Sequence, residues 1–243
     1  MLEETKKTHV LVTEPRISVR RLADYMAASH QSKRTIIQSC KYRAIARVFQ
    51  HNEAMAIVTN HILSDAKGAG DLKSKAEFIR NKVADNDFDE DTNEHNADYV
   101  ERFAEIVADV ALPDVEMATP KEFAPLNLRG VKVSFRPRIL FSRTTKTNKV
   151  RCGALMLRYS KGKPLPINVA EWQSAAIFGC MRMLNAINMA EAERSLCITL
   201  DAYTGKCHEA PGKAVYLFNE MTAACATIGE QWREIKPPKN AIL

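Results

Sequence analysis

Between Glu122 and Glu171 the chain has no aspartate or glutamate at all. Other absences narrow what the protein can do. The six cysteines, Cys40, Cys152, Cys180, Cys197, Cys207 and Cys225, include no C-x-x-C pair, so the spacing for a zinc or iron–sulfur site is missing. The histidines, His9, His30, His51, His61, His95 and His208, show no H-x-x-x-H ligand spacing. Cys207 and His208 are adjacent, which on a strand sends their side chains to opposite faces and gives no thiolate dyad. There is no G-x-x-x-x-G-K-S/T loop, no G-x-S-x-G elbow and no dinucleotide glycine fingerprint. No run approaches the ~18 apolar residues of a membrane span. The opening MLEETKKTHVLVTEP has no apolar region of the signal-peptide kind. Scattered thiols among apolar neighbours are expected to be reduced, which points to the cytoplasm and no membrane.

What is present is unevenly charged. The acid-free window carries eleven cations: Arg129, Lys132, Arg136, Arg138, Arg143, Lys146, Lys149, Arg151, Arg158, Lys161 and Lys163. Net charge over 243 residues is only +6. Residues 16–47, however, carry eight bases against Asp24 alone, residues 52–122 carry seventeen acids against seven bases, and residues 123–243 carry eighteen bases against eight acids. The chain reads basic, acidic, basic. That favours an anionic partner at the basic parts, or an acidic middle that folds back and neutralises them. Hydrophobic residues at 46% allow a sizeable core without disulfides.

The periodicity changes along the chain. Residues 1–112 read as a helical region, basic over 16–47 and acidic over 52–112. Ser18 is a candidate N-cap, and Leu22, Tyr25, Met26, Ile36, Ile37 and Cys40 recur at helical spacing with a break around Ser29 to Ser32. Tyr42 to Leu63 reads as a second helical stretch, with Val48 and Phe49 inward. Asp71 is expected to cap a helix to about Ala84. The run DNDFDEDTNEHNAD reads as a loop or an acidic helix start, and Asp98 to Leu112 as a helix. Residues 113–127 contain Pro113, Pro120 and Pro125 and read as a linker or seam.

Residues 128–243 read as an α/β domain. From Val131 to Phe141 apolar residues fall on odd positions, the pattern of a strand with one buried and one basic face. Pro137 inside it suggests an edge or a bulge. Ser142 to Lys149 reads as a hairpin loop and Val150 to Tyr159 as a buried strand. Asn168 and Glu171 form a capping signal for a helix to about Ala190, with Ile187 inward. Leu196 to Tyr203 and Cys207 to Ala210 follow as strands, then a last helix after Pro211. The expected class is α+β: a helical N-terminal region and a small mixed β-sheet flanked by helices.

The candidate site is the basic strand pair, with Lys132, Arg136, Arg138, Arg143, Lys146, Lys149, Arg151, Arg158 and Lys161 as nucleic-acid-binding residues. Arginine forks match phosphate oxygens, and each neutralised phosphate releases a counterion. No base-reading motif accompanies them, so DNA and RNA are both open. Residues 17–43 also invite a helix-turn-helix, but the register puts Lys33 where an apolar residue belongs, so a plain amphipathic pair fits better.

The order helix pair, helical insertion, strand, strand, helix, strand, helix resembles the RecB-like branch of the PD-(D/E)XK nuclease fold, which includes the CRISPR adaptation nucleases. Those nucleases often begin with I-S-x-S-x-L-x-x-Y, which Ile17-Ser18-Val19-Arg20-Arg21-Leu22-Ala23-Asp24-Tyr25 is similar to. They carry a glutamine on the helix after the second strand, where Gln173 stands. The resemblance implies an Asp on the first strand and an Asp/Glu-x-Lys on the second, holding divalent metal. Here the first strand offers Arg136 and Arg138, and the second reads GALMLRYSK. The implied protein is a degenerate, non-catalytic relative that binds nucleic-acid backbone without a cofactor, in a mobile-element or phage-defence setting. The alternatives are a Mg²⁺-dependent nuclease with relocated acids, for which Glu171 and Asp201 are the outside candidates, and a module that grips an acidic protein or another copy of itself.

Overall fold

The computed structural model describes residues 7–45, 51–64, 68–184, 190–239 and 241–243. Arg47, Val48, Phe49 and Ile187 lie outside them. In chain order the elements are β1 (His9–Leu11), β2 (Arg16–Ser18), α1 (Val19–Ala27), α2 (His30–Lys41), β3 (Tyr42–Ala44), α3 (Asn52–Leu63), α4 (Gly70–Arg80) and α5 (Asp87–Ile106). Then follow β4 (Glu116–Ala118), β5 (Leu126–Leu128), β6 (Val131–Ser134), β7 (Ile139–Thr144), β8 (Val150–Arg158), α6 (Ile167–Leu184), β9 (Glu191–Asp201), β10 (Cys207–Glu209) and α7 (Ala214–Glu234). The class is α+β.

A five-stranded sheet ordered β10-β9-β8-β7-β4 forms the middle layer. Only the β8/β9 pair is parallel, and α6 makes the crossover between them. Alternation along β8 sorts the two faces. Cys152, Ala154 and Met156 join a core built with α1, α2, α6 and α7. Leu155 and Leu157 join a second core with α3, α4 and α5. Covered on both faces, β8 has the continuous apolar sequence expected of a central strand. Gly153 sits at an irregularity in the β8/β9 register, and a Cβ there would lie 2.1 Å from the Leu196 carbonyl oxygen. The strands approach too closely for any side chain at that point.

Two smaller sheets tie the N-terminus to this frame. In one, β6 pairs with β2 in parallel and with β5 antiparallel. In the other, β1 pairs with β3. Residues 42–44, expected within a helical stretch, are therefore strand. Residues 113–127 are not an empty seam: β4 pairs with β7 and β5 with β6.

The expected strand over 131–141 is two strands in two sheets. Odd positions are buried throughout, as the alternation requires. The chain nevertheless leaves one ladder at Pro137, which has no N–H to give, and Arg138 N–H then bonds the Leu155 carbonyl at 2.8 Å. Three capping expectations resolve differently. Ser18 caps α1, its hydroxyl accepting from Arg21 N–H at 3.2 Å. Asp71 lies inside α4, which has no side-chain cap. Asn168 lies inside the first turn of α6 and accepts from the neighbouring Val169 N–H. The acidic run is the start of α5, where Asp87, Asp89 and Glu90 complement the positive helix end.

Candidate nucleic-acid interface

The structure does not gather the nine expected cations on one β surface. Six of them face carboxylates of the same chain. Lys132 pairs with Glu14, Arg143 with Glu193, Arg151 and Lys149 with Glu191, Arg158 with Asp24, and Lys161 with Asp98. Lys146 has no ion pair among the described residues and stands in the β7–β8 loop. Arg136 and Arg138 lie between β6 and β7, Arg136 exposed and Arg138 half-buried with Nη2 3.4 Å from the Met55 sulfur. A window without acids in sequence is thus not without acids in space. Parallel pairing of β9 on β8 brings Glu191 opposite Arg151. The Arg143 contact has a visible effect: burial alone would raise the Glu193 pKa, but hydrogen bonds from Ser195 and Arg143 hold it below the ordinary carboxylate range. Most of these pairs are exposed and weak, about 0–1 kcal/mol each, yet they lower the net positive charge that a partner meets.

Cations with no such partner occur elsewhere. The first turn of α1, the N-terminus of α3, the middle of α5 and the turn after β8 enclose a cleft of about 680 Å³. Its walls include Arg20 and Arg21 on one side and Lys161 and Lys163 on the other. Each wall is locally determined. Pairing of Ile17 with Val133 fixes where β2 ends, Ser18 starts the helix, and buried Val19, Leu22 and Tyr25 orient α1 so that Arg20 and Arg21 stay exposed. On the other side Gly162, at φ 70°, turns the chain so that Lys161 and Lys163 bracket it. Of the cleft cations, only Lys161 has a carboxylate partner among the described residues.

Arg20 and Arg21 are unusual for their position. A helix N-terminus carries partial positive charge and favours acids in its first turn. α1 has none there. Two guanidinium groups added to that end repel it unless an anion sits among them.

Beneath the cleft Arg158 and Gln173 are buried, and half-buried Asp24 on the cleft wall joins them. Arg158, only 6% exposed, donates from Nη2 to the Arg20 carbonyl at 2.8 Å, pairs through Nη1 with Asp24 at 3.0 Å and donates from Nε to Gln173. Burial pulls its pKa down to about 10, with Asp24 acting against the shift. It remains charged at neutral pH and holds the first turn of α1 by that turn's own backbone. The Nε2 of Gln173 is buried with no partner among the described residues.

Aromatic rings close the floor. Tyr99 stacks on Tyr159 at 3.9 Å between centroids and 5° between planes, and His51 meets both edge-on at 5.6 and 5.3 Å. Among the described residues the Tyr99 hydroxyl and His51 Nδ1, both buried, have no hydrogen-bond partner. Burial first, then the charges of His95 and Arg20, lowers the His51 pKa and favours the neutral ring. Burial raises Tyr159 to about 12.

The outside acid candidates do not line this cleft. Asp201 is 2% exposed and accepts from Leu165 N–H, Tyr203 N–H and the Thr204 hydroxyl, which makes it the clamp of a turn. Glu171 pairs with Lys213 at 3.3 Å. Among the described residues no three His, Cys, Asp or Glu side chains form a metal-ligating group. Among the described residues that line the cleft, the one carboxylate, Asp24, already faces a guanidinium. That donor set does not suit Mg²⁺, which takes oxygen ligands. Also among the described residues, no helix is long and apolar enough to cross a membrane.

Of the expected site, then, Lys161 lines the cleft and Arg158 lies beneath it. Arg20, Arg21, His51, Tyr99 and Tyr159 were not among the expected site residues. One signal was available: Ser18 as N-cap followed at once by two arginines, against the preference of a helix start. No protein-family model matches the chain, and no curated protein matches it.

Proposed function

We propose that this protein binds nucleic-acid backbone in the cleft between α1, α3, α5 and the β8–α6 turn, without catalysing its cleavage. The observation that carries this reading is the grouping of Arg20, Arg21, Lys161 and Lys163 around a cleft in which, among the described lining residues, the one carboxylate is committed to Arg158. Arginine forks and lysine ammonium groups on facing walls suit a polyanion that runs between them. The strained charge at the start of α1 is relieved when a phosphate sits there.

The degenerate nuclease resemblance is compatible with the same place. Of the motif residues, Ser18, Arg20, Arg21 and Asp24 line the cleft, and Gln173 bonds Arg158 beneath it. Where the resemblance implies carboxylates around a metal, this chain sets Arg158 against Gln173 and Asp24. The guanidinium there, paired with Asp24, holds the first turn of α1 in place and activates no water.

The test is a gel shift against single- and double-stranded DNA and RNA, with and without Mg²⁺. The pair Arg20→Ala/Arg21→Ala is compared with Lys146→Ala/Lys149→Ala. Binding lost with the first pair and kept with the second is the expected result. Equal loss with both would return the interface to the strand pair. Mg²⁺-dependent shortening of the nucleic acid would overturn the non-catalytic part.

A further inference from the structure

We infer that a pocket at the start of α2 is a second phosphate site, and that it takes a further phosphate of the nucleic-acid chain held in the cleft. The second clause rests on the nucleic-acid reading above and extends it.

The pocket, of about 110 Å³, lies between the start of α2 and the C-terminal end of α7 and shares no lining residue with the cleft. Lys33 and Arg34 come from α2, Gln231 and Glu234 from α7, and Tyr25 from α1. Hydrogen bonds fix α2 against α7. Lys41 Nζ donates to the Trp232 and Ile235 carbonyls at 2.5 and 3.0 Å, the Tyr42 hydroxyl donates to the Ile235 carbonyl at 3.0 Å, and Gln38 Nε2 donates to the Lys236 carbonyl at 2.9 Å. These contacts satisfy the carbonyl end of α7 and set a cation against its negative pole. Lys33 and Arg34 are left over from that task, and neither has an ion pair among the described residues. Lys33 Nζ stands 5.1 Å from the centre of the Tyr25 ring, which holds the charge at the pocket without neutralising it. α2, like α1, has no acid in its first turn. Glu234 is the one carboxylate among the described lining residues, and the two cations outweigh it.

The Tyr25 hydroxyl is an independent observation. Tyr25 is 4% exposed and lines the pocket, and its hydroxyl has no hydrogen-bond partner among the described residues. Unlike the Tyr99 hydroxyl, it is not sealed from solvent. Burial raises the phenol pKa above its ordinary value, so the hydroxyl stays protonated and can donate. A hydroxyl donor beside an ammonium and a guanidinium suits a charged group that only accepts, and a phosphate oxygen is such a group. The pocket also stands where a chain in the cleft can reach it. Arg21 and Tyr25 are four residues apart on α1, so they share a face about 6 Å apart along the axis. Arg21 lines the cleft and Tyr25 lines the pocket.

Two titrations of the full chain test this. Calorimetry of Arg20→Ala/Arg21→Ala with inorganic phosphate reads the pocket with the cleft disarmed. Binding should be seen there and should vanish when Lys33→Gln/Arg34→Gln is added. Fluorescence anisotropy with labelled oligo(dT) and oligo(U), of about five and about twenty nucleotides, reads the two sites together. In the otherwise unchanged chain, Lys33→Gln/Arg34→Gln should weaken the long oligonucleotides about tenfold, make their salt slope shallower by about 1.4 and leave the short ones unaffected. Tyr25→Phe, which keeps the ring beside Lys33, should weaken the long ones about fivefold and covers the case in which the charge variant does not fold. Glu234→Gln should tighten them. Phosphate binding at the pocket, with long-oligonucleotide affinity unchanged in Lys33→Gln/Arg34→Gln and Tyr25→Phe, overturns the nucleic-acid chain as its source and leaves a site for a free anion. No phosphate binding and unchanged oligonucleotide affinity in those variants overturn both clauses, and loss of oligonucleotide binding in Arg20→Ala/Arg21→Ala then keeps the cleft reading standing. No binding to any oligonucleotide refutes the nucleic-acid reading, while phosphate binding lost in Lys33→Gln/Arg34→Gln still supports the site.

Discussion

Salt dependence should report how many cations the cleft commits. Arg20, Arg21 and Lys163 have no carboxylate partner among the described residues, while Lys161 must leave Asp98 before it can bind phosphate. Each phosphate neutralised on a single strand contributes a slope of about −0.7 to log K against log salt. Three cations give a slope of about −2.1 and four give about −2.8. Raising salt from about 50 to about 200 mM should therefore weaken binding by about 20- to 50-fold. Anisotropy titrations at five or more salt concentrations measure the slope directly. Arg20→Gln or Arg21→Gln should each make it shallower by about 0.7, and Lys146→Gln should leave it unchanged. A slope shallower than about −1, or one moved by Lys146→Gln but not by Arg20→Gln, would refute the assignment of the binding charge to the cleft.

Further consequences follow from the same contacts. Asp98→Asn should release Lys161, steepen the salt slope by about 0.7 and tighten binding several-fold at low salt; a weaker complex would contradict the competition between carboxylate and phosphate. Gly153→Ala places a Cβ 2.1 Å from the Leu196 carbonyl oxygen, so the β8/β9 pair must part. It should cost about 3 kcal/mol or more and lower the melting temperature by about 6–12 °C, read by calorimetry. His51 and His208 both have pKa values held below 6.5, mainly by burial. In the unfolded chain each takes up a proton near 6.5, and in the folded chain each resists, so stability is complete above that pH and falls as pH drops below it. The groups facing them are His95 and Arg20 for His51, and Asp201 and Lys206 for His208. Melting curves between about pH 7.5 and pH 5.5 should show that fall, and His51→Gln with His208→Gln should flatten it.

The fold was largely legible because hydrophobic period reports burial, and burial is what secondary structure serves. The odd positions from Val131 to Phe141 are buried as the alternation requires, and α1, β8, β10 and α7 fall where the pattern places them. Pairing was not legible in the same way. Period two shows that Lys132 and Arg138 share a face, but not that Pro137 hands the chain from one sheet to another. The short strands β3, β4 and β5 are three residues each, too few to show a period, and their strand character comes from partners remote in sequence. The site was less legible still. Its walls come from α1, α3, α5 and the turn after β8, so no local window holds it. Tyr99 reads as one more apolar position on α5 until the structure shows its hydroxyl without a partner.

Charge density and charge availability are different quantities, and this chain separates them. The acid-free window has the highest density of cations, yet chain folding brings Glu14, Glu191, Glu193, Asp24 and Asp98 to meet most of them. Two of the cations that stay available stand where their placement costs the protein something. Arg20 and Arg21 oppose the dipole of the helix that carries them. Arg158 is held charged in a buried position, and the residue it anchors by the backbone is Arg20 itself. An ion pair on the surface persists because it is mildly favourable where it stands. A cation held against its local preference persists only where other contacts fix it, and those contacts leave its charge directed at the solvent of one cleft. That asymmetry, rather than the count of lysines and arginines, is why the anion-binding reading attaches to the start of α1 and not to the strand pair.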